Sequence, residues 1–349
     1  MSVRHVLFAL VIIVFSAATG FSQGFAGLGR DATGFQQATP GYNFEFPKDH
    51  GPHPNFQIEW WYLTANLTDA DGRDLGLQWT LFRSAAAPHE SDGWDSPQFW
   101  MGHAAVTTPA AHYVSERLAR GGIGQAGVTP QPFHAWIDNW EMTGDTMDQL
   151  RVSAFGNDFA YEIELTAQGP LVLHGDNGFS QKSANGRASY YYAQPFYEVS
   201  GRLRLPEGDI PVTGNAWLDR EWASQLLDES QVSWDWFSMV FDSGERLMTA
   251  QVHSEQGDVY SLTSWIAPDG TTTPLPNGAL IATPLAETKI ADRSLPTSWR
   301  VQVSEKGVDV RVEAVNPRAW MTTSVPYWEG PVRITGSHGG RGYLEMTGY

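Results

Sequence analysis

The chain has no cysteine among its 349 residues. No disulfide or thiolate chemistry is available to it, so stability has to come from packed cores. Basic residues are scarce: 22 Lys and Arg stand against 39 Asp and Glu, a formal net charge of −17. That balance argues against nucleic acid and anionic membrane surfaces as partners. After the first twenty residues no apolar run approaches the ~20 residues of a spanning helix. Several chemical signatures are missing as well. There is no G-x-S-x-G elbow, no H-E-x-x-H pair and no phosphate loop. One G-x-G-x-x-G match, Gly122 to Gly127, lacks a preceding strand and a βαβ context and reads as a loop. His50 and His53 share a Gly-Pro loop with no evident third ligand, so neither a metal nor a cofactor is expected.

What is present begins with a targeting pattern. Arg4 and His5 precede an apolar run from Val6 to Phe15, then the small residues Ser16, Ala17, Ala18 and Gly20. A charged start, ~7–15 apolar residues and a small-residue cleavage region make a secretory signal. Residues 1–23 are expected to be a signal peptide and 24–44 a flexible leader, which places the protein in the periplasm or outside the cell.

The remainder is rich in aromatics and turn formers, with 15 Trp, 35 Gly and 21 Pro, a composition that favours all-β architecture. Phe56, Ile58, Trp60 and Tyr62 alternate with Gln57, Glu59 and Trp61. Phe159, Tyr161, Ile163 and Leu165 alternate with polar partners in the same way. Period-two patterns of this kind are strands. Strands punctuated by Gly and Asp turns suggest closed antiparallel barrels, which remove exposed edges. Two domains are expected, residues 45–225 and 226–349, with a short helix or loop over 223–230 between them. His112–Arg120 is expected to form one or two helical turns. Residues 268–296, rich in Pro, Thr and Ala, are expected to be a long surface excursion.

The stretch Gly214–Trp222 follows an alternating run and places Trp217, Asp219 and Glu221 on one strand face. Two carboxyls that close push one pKa upward, and a protonated acid beside an aromatic wall suits proton donation to an apolar substrate. The alternative is an ordinary ion pair of Asp219 or Glu221 with Arg220 or a distant Lys.

Seven stretches in order carry a family resemblance: Glu59-Trp60-Trp61-Tyr62, Met101-Gly102-His103-Ala104-Ala105, His174 to Lys182, Ala188 to Tyr192, Trp217 to Trp222, Trp234-Asp235-Trp236-Phe237, and Tyr327-Trp328-Glu329-Gly330. Over residues 45–349 the chain resembles the AttH-like and carotenoid 1,2-hydratase (hydroxyneurosporene synthase) family. The resemblance implies two consecutive lipocalin-like antiparallel β-barrels with a cavity for an apolar ligand. In the hydratase branch an acid protonates an isoprenoid double bond and water captures the cation. The essential Asp of that branch follows an aromatic by two residues, and the pair falls on Trp217 and Asp219, with Trp here in place of Tyr. In the AttH-like branch the resemblance implies components of an ABC-type exporter as partners.

Two functions follow as expectations. One is a cofactor-independent hydro-lyase or cyclase with Asp219 as acid, Glu221 tuning it and Trp217 beside it. The other is a non-catalytic carrier of an isoprenoid or other lipid. Ligand-facing candidates are Glu59, Trp61, His103, His174, Asp176, Tyr191, Tyr192, Trp234 and Trp236. Aromatic faces stabilise a cation by ~0.5–2 kcal/mol each, whereas the same rings are equally suited to barrel cores.

Overall fold

A computed structural model describes residues 24–29 and 32–349. The expected signal peptide, residues 1–23, lies outside the described residues. Strands dominate the chain. The first sheet holds β1 (Ile58–Asp69), β2 (Asp74–Ala85), β3 (Gln98–Thr107), β4 (His112–Arg120), β5 (Ala126–Pro130), β6 (Phe133–Ile137), β7 (Trp140–Thr146), β8 (Gln149–Phe155), β9 (Ala160–Ala167), β10 (Val172–Leu173), β11 (Phe179–Gln181), β12 (Ala188–Leu205) and β13 (Gly208–Ala223). The second holds β14 (Gln231–Phe241), β15 (Arg246–Ser254), β16 (Val259–Ile266), β17 (Thr272–Leu275), β18 (Leu280–Ile290), β19 (Arg293–Val303), β20 (Val308–Ala314), β21 (Trp320–Met321), β22 (Tyr327–Gly336) and β23 (Gly340–Thr347).

The pairing is antiparallel throughout, in the order β4-β3-β2-β1-β13-β12-β9-β8-β7-β6-β5 and then β17-β16-β15-β14-β23-β22-β20-β19-β18. Each sheet curls into a barrel-like unit around its own core. Alternation decides which side chains enter that core. Trp61, Leu63, Leu77, Trp79 and Leu218 fill the first barrel. Phe237, Met239, Trp299, Trp328 and Leu344 fill the second.

The opposite faces of the same strands are also apolar and aromatic, and they bury each other. Tyr62, Tyr191 and Trp217 of the first sheet share a cluster with Trp236, Met248 and Tyr343 of the second. The Tyr62 and Trp236 rings meet edge to face at 5.4 Å. The second sheet's side chains press close on Gly76 of β2. A Cβ there would stand 2.5 Å from Pro331 and 2.7 Å from the Tyr343 hydroxyl, so the sheets dock this closely because the position carries no side chain. At the rim Asp74 accepts from Arg333 and lies 3.2 Å from Arg341.

Three local expectations are corrected. His112–Arg120 is not helical: all nine residues pair with β3, and that ladder overrides local propensity. Residues 268–296, expected as a long surface excursion, do lie largely at the surface but are built of strands. They form β17, β18 and the start of β19, with Pro284 accommodated at a bulge in an edge strand. The glycine-rich leader packs against the body because its aromatics find partners. Phe25 lies 4.3 Å from Phe82, and Tyr42 stacks on Tyr190 at 4.3 Å.

Candidate functional site

A pocket lies between the two sheets. This corrects the expectation of a ligand cavity inside a barrel, since both barrel interiors are filled by large side chains. Trp60, Tyr62 and Phe82 from the first sheet line it together with Trp234, Trp236 and Val252 from the second, and Phe25 and Leu226 complete the apolar lining. Every wall is built by the strand parity that faces away from a barrel core.

Asp219 and Glu221 line this pocket from β13. Asp219 is only 2% exposed. The Trp217 indole N–H donates to its Oδ1 at 2.7 Å, and the Tyr191 hydroxyl lies beside it, itself accepting from the Trp236 indole at 3.4 Å. Burial pushes the Asp219 carboxyl well above the usual carboxylate range. The Trp217 and Tyr191 contacts oppose that shift, nearby Glu221 adds to it, and Lys182 works against it. With the indole bonded to Oδ1, the proton belongs on Oδ2. Glu221 plays a different part. Lys182 Nζ stands 2.8 Å from it and the Ser189 hydroxyl donates to it, so the ion pair with a distant Lys forms at Glu221 and not at Asp219.

The facing wall carries two acids that the sequence reading did not single out. Glu345 on β23 lines the pocket and accepts from the Trp234 indole at 2.9 Å. Burial pushes its carboxyl up to about 7, against the hydrogen-bonding influence of Trp234 and Tyr62 and with a further push from Glu221. Glu329 is its cross-strand partner on β22. It is 1% exposed, and neither carboxyl oxygen has a hydrogen-bond partner. Burial first, and Glu345 second, hold the Glu329 carboxyl well above the ordinary range, so it is protonated. The spacing Tyr327-x-Glu329 repeats that of Trp217-x-Asp219, and Glu345 falls between the core residues Leu344 and Met346. These were the available signals.

His103 also lines the pocket, in a chain that crosses the interface. Its Nε2 lies 3.2 Å from Glu116 and its Nδ1 3.0 Å from the Tyr327 hydroxyl. Burial lowers the imidazole pKa. The neutral ring donates from Nε2 to the carboxylate and accepts from Tyr327 at Nδ1, a tautomer assigned from the network. Gln78 donates to the same Tyr327 oxygen at 3.0 Å.

Of the remaining candidates, Tyr191, Trp234 and Trp236 line the pocket. His174 lies just behind that wall, its ring 4.2 Å from Tyr191, with neither nitrogen partnered. Burial and Lys182 push it down to about 3, so it is neutral. Four candidates lie elsewhere. Trp61 belongs to the first barrel's core. Tyr192 hydrogen-bonds His50 at 2.7 Å on the far face of the sheet. Asp176 sits exposed in a turn. Glu59, expected to face the ligand, faces no pocket: it is fully buried between Arg83 and Arg220, the latter at 3.1 Å, with His53 also at 3.1 Å. Burial alone would raise its pKa, but these cations hold it well below the usual range.

Comparison with known proteins follows this geometry. A putative AttH from Nitrosomonas europaea is 32% identical, superposes with a TM-score of 0.82, and the match covers 90% of this chain and 99% of that one. Kievitone hydratase from Nectria haematococca shares 14% identity at a TM-score of 0.67, over 90% and 96% of the two chains. The protein CghA shares 12% at 0.54, over 89% and 94%. At these lower identities the likeness concerns the fold. No curated protein matches the chain significantly. The profile of the AttH-like family matches residues 37–349, and the chain belongs to that family.

Proposed function

We propose that the pocket between the sheets takes a neutral, largely apolar molecule with an electron-rich double bond and adds water to it, or closes a ring on it, by acid catalysis. The observation that carries this reading is Asp219: a carboxyl kept protonated by burial, fixed by an indole N–H, and facing aromatic walls. The Asp219 O–H bond breaks as the alkene π pair forms a new C–H bond. The cation left on the neighbouring carbon is stabilised by the faces of Trp60, Trp234 and Trp236, each worth ~0.5–2 kcal/mol. A water lone pair, or a second π bond of the same molecule, then captures it. Trp in place of Tyr at position 217 fits this role, because an indole only donates and leaves the acid proton on Asp219. The fold shared with a hydratase supports the same reading.

The test uses kievitone and the acyclic isoprenoid geraniol as probes in oxygen-18 water. The expected product gains one labelled water, and Asp219→Asn lowers its rate by about 100-fold or more while saturable quenching of tryptophan fluorescence persists. Saturable binding without product, in wild type, would support a periplasmic carrier instead, serving an ABC-type exporter. No binding at all would sink both readings.

A further inference from the structure

Protonation at Asp219 leaves one question of chemistry open: water that captures a cation must give up a proton. Asp219 stands on the first sheet's wall, and once ionised it is buried beside the indole that holds it. On the second sheet's wall Glu345 faces the same space. Resting on the hydration reading above, we propose that Glu345 accepts the proton of the attacking water, with Glu329 behind it as a positioning residue.

Geometry carries the assignment. Glu345 Oε1 is engaged by the Trp234 indole, a donor that favours an anion, and Oε2 remains for water. Glu329 stands opposite Glu345 in the β22–β23 register, and both its oxygens are buried without a partner. Burial and the neighbouring Glu345 disfavour its charge more than the nearby Tyr62 and Tyr327 hydroxyls favour it. Glu329 keeps its proton and becomes a donor available to Glu345. Two acids so close share one dissociable proton. The remaining groups facing Glu345 are the Tyr62 hydroxyl from β1 and Glu221 from β13, with Tyr327 beside Glu329. Lys182 also lines the pocket but is paired with Glu221 at 2.8 Å, so among the described residues no cation pairs with Glu345 itself. Its titration near 7 suits a group that must take up and release a proton at neutral pH.

The step balances. Asp219 loses a proton to carbon, the cation accepts a water lone pair, and a water O–H bond breaks as the proton passes to Glu345. The sum is one water added, with the proton now on Glu345 and Asp219 ionised. Glu221 influences both carboxyls.

The experiment incubates wild type and variants with geraniol or kievitone in deuterium oxide. Hydrated product and deuterium in recovered alkene are both measured. Wild type should give both, since a cation not captured by water can lose a proton again. Glu345→Gln should lose hydration by about 100-fold or more yet still exchange deuterium into the alkene. Glu345→Asp should recover part of the rate. Asp219→Asn should lose both signals. Glu329→Leu should move the rising limb of the pH–rate profile to higher pH, because the anion loses its donor, which a packing role alone would not do. Carbon-13 carboxyl NMR adds a substrate-free arm, in which a resonance titrating near 7 disappears in Glu345→Gln. Wild-type hydration in Glu345→Gln, or a Glu345 midpoint below 5, overturns the proposal while leaving Asp219 as acid. Neither hydration nor exchange in wild type overturns the hydration reading and this proposal with it.

Discussion

Glu345→Gln should make the protein more stable, and more so the higher the pH. The sign follows from linkage. Glu345 has its ordinary value of 4.5 when unfolded and about 7 when folded. Between those values the native state binds more protons than the unfolded one, so stability falls as pH rises through the window. The loss is about 1 kcal/mol at pH 5 and about 3 kcal/mol at pH 8.5, taking 1.36 kcal/mol per unit. Glutamine has no proton to lose. Its carbonyl still accepts from Trp234, and its amide faces the unpartnered oxygens of Glu329. With an unfolding entropy of about 2.1 cal/mol/K per residue over 349 residues, 1 kcal/mol corresponds to about 1.4 °C. The variant's advantage in Tm should therefore widen by about 3 °C between pH 5 and pH 8.5. Differential scanning calorimetry at both pH values, with ionic strength fixed, reads the gap directly. A gap that stays constant, or that narrows with pH, would refute the reasoning, because it would mean that Glu345 is ionised in the folded protein well below neutral pH.

Other outcomes follow from the same geometry. Gly76→Val should cost about 1–3 kcal/mol by overpacking the docked sheets against Pro331 and Tyr343, read as a lower urea midpoint. Glu59→Gln should cost about 3–5 kcal/mol by leaving Arg83 and Arg220 buried without their anion. Since Glu59 is held below its ordinary value when folded, its contribution is present above about pH 4.5 and lost as pH falls, so the wild-type advantage should shrink in acid while probe affinity stays unchanged. Phe25→Ala removes a buried ring that lines the pocket, and stopped-flow quenching should show faster ligand dissociation together with a lower Tm.

The architecture was legible because a period of two survives in nearly every strand, and because the face of Trp217, Asp219 and Glu221 could be counted off directly. What failed locally failed for non-local reasons. β4 is a strand because β3 offers it a full ladder, and β18 exists because β19 pairs with it. Neither partner is visible within the segment. The site divides along the same line. Asp219 could be found from its own strand, whereas its burial comes from a second sheet laid across it. Glu345 alternates with the core residues Leu344 and Met346, and nothing within its own strand shows what covers its face. Only the docking of β23 against β1, at the distance Gly76 permits, turns that face into a wall.

Glu59 shows that more was readable than was read. It shares strand parity with Trp61, a core residue. Arg83 shares parity with Leu81, and Arg220 with Leu218, both core residues as well. Two arginines at core parity require a buried anion, because an unpaired guanidinium there would cost far more than it could return. Glu59 is the carboxyl at matching parity on the strand between β2 and β13. It opposes Arg83 in one register and stands two residues from Arg220's partner Trp61 in the other. The charge pattern across three strands thus makes Glu59 a structural residue and not the ligand-facing one expected, and leaves Asp219 on the opposite face, toward the pocket.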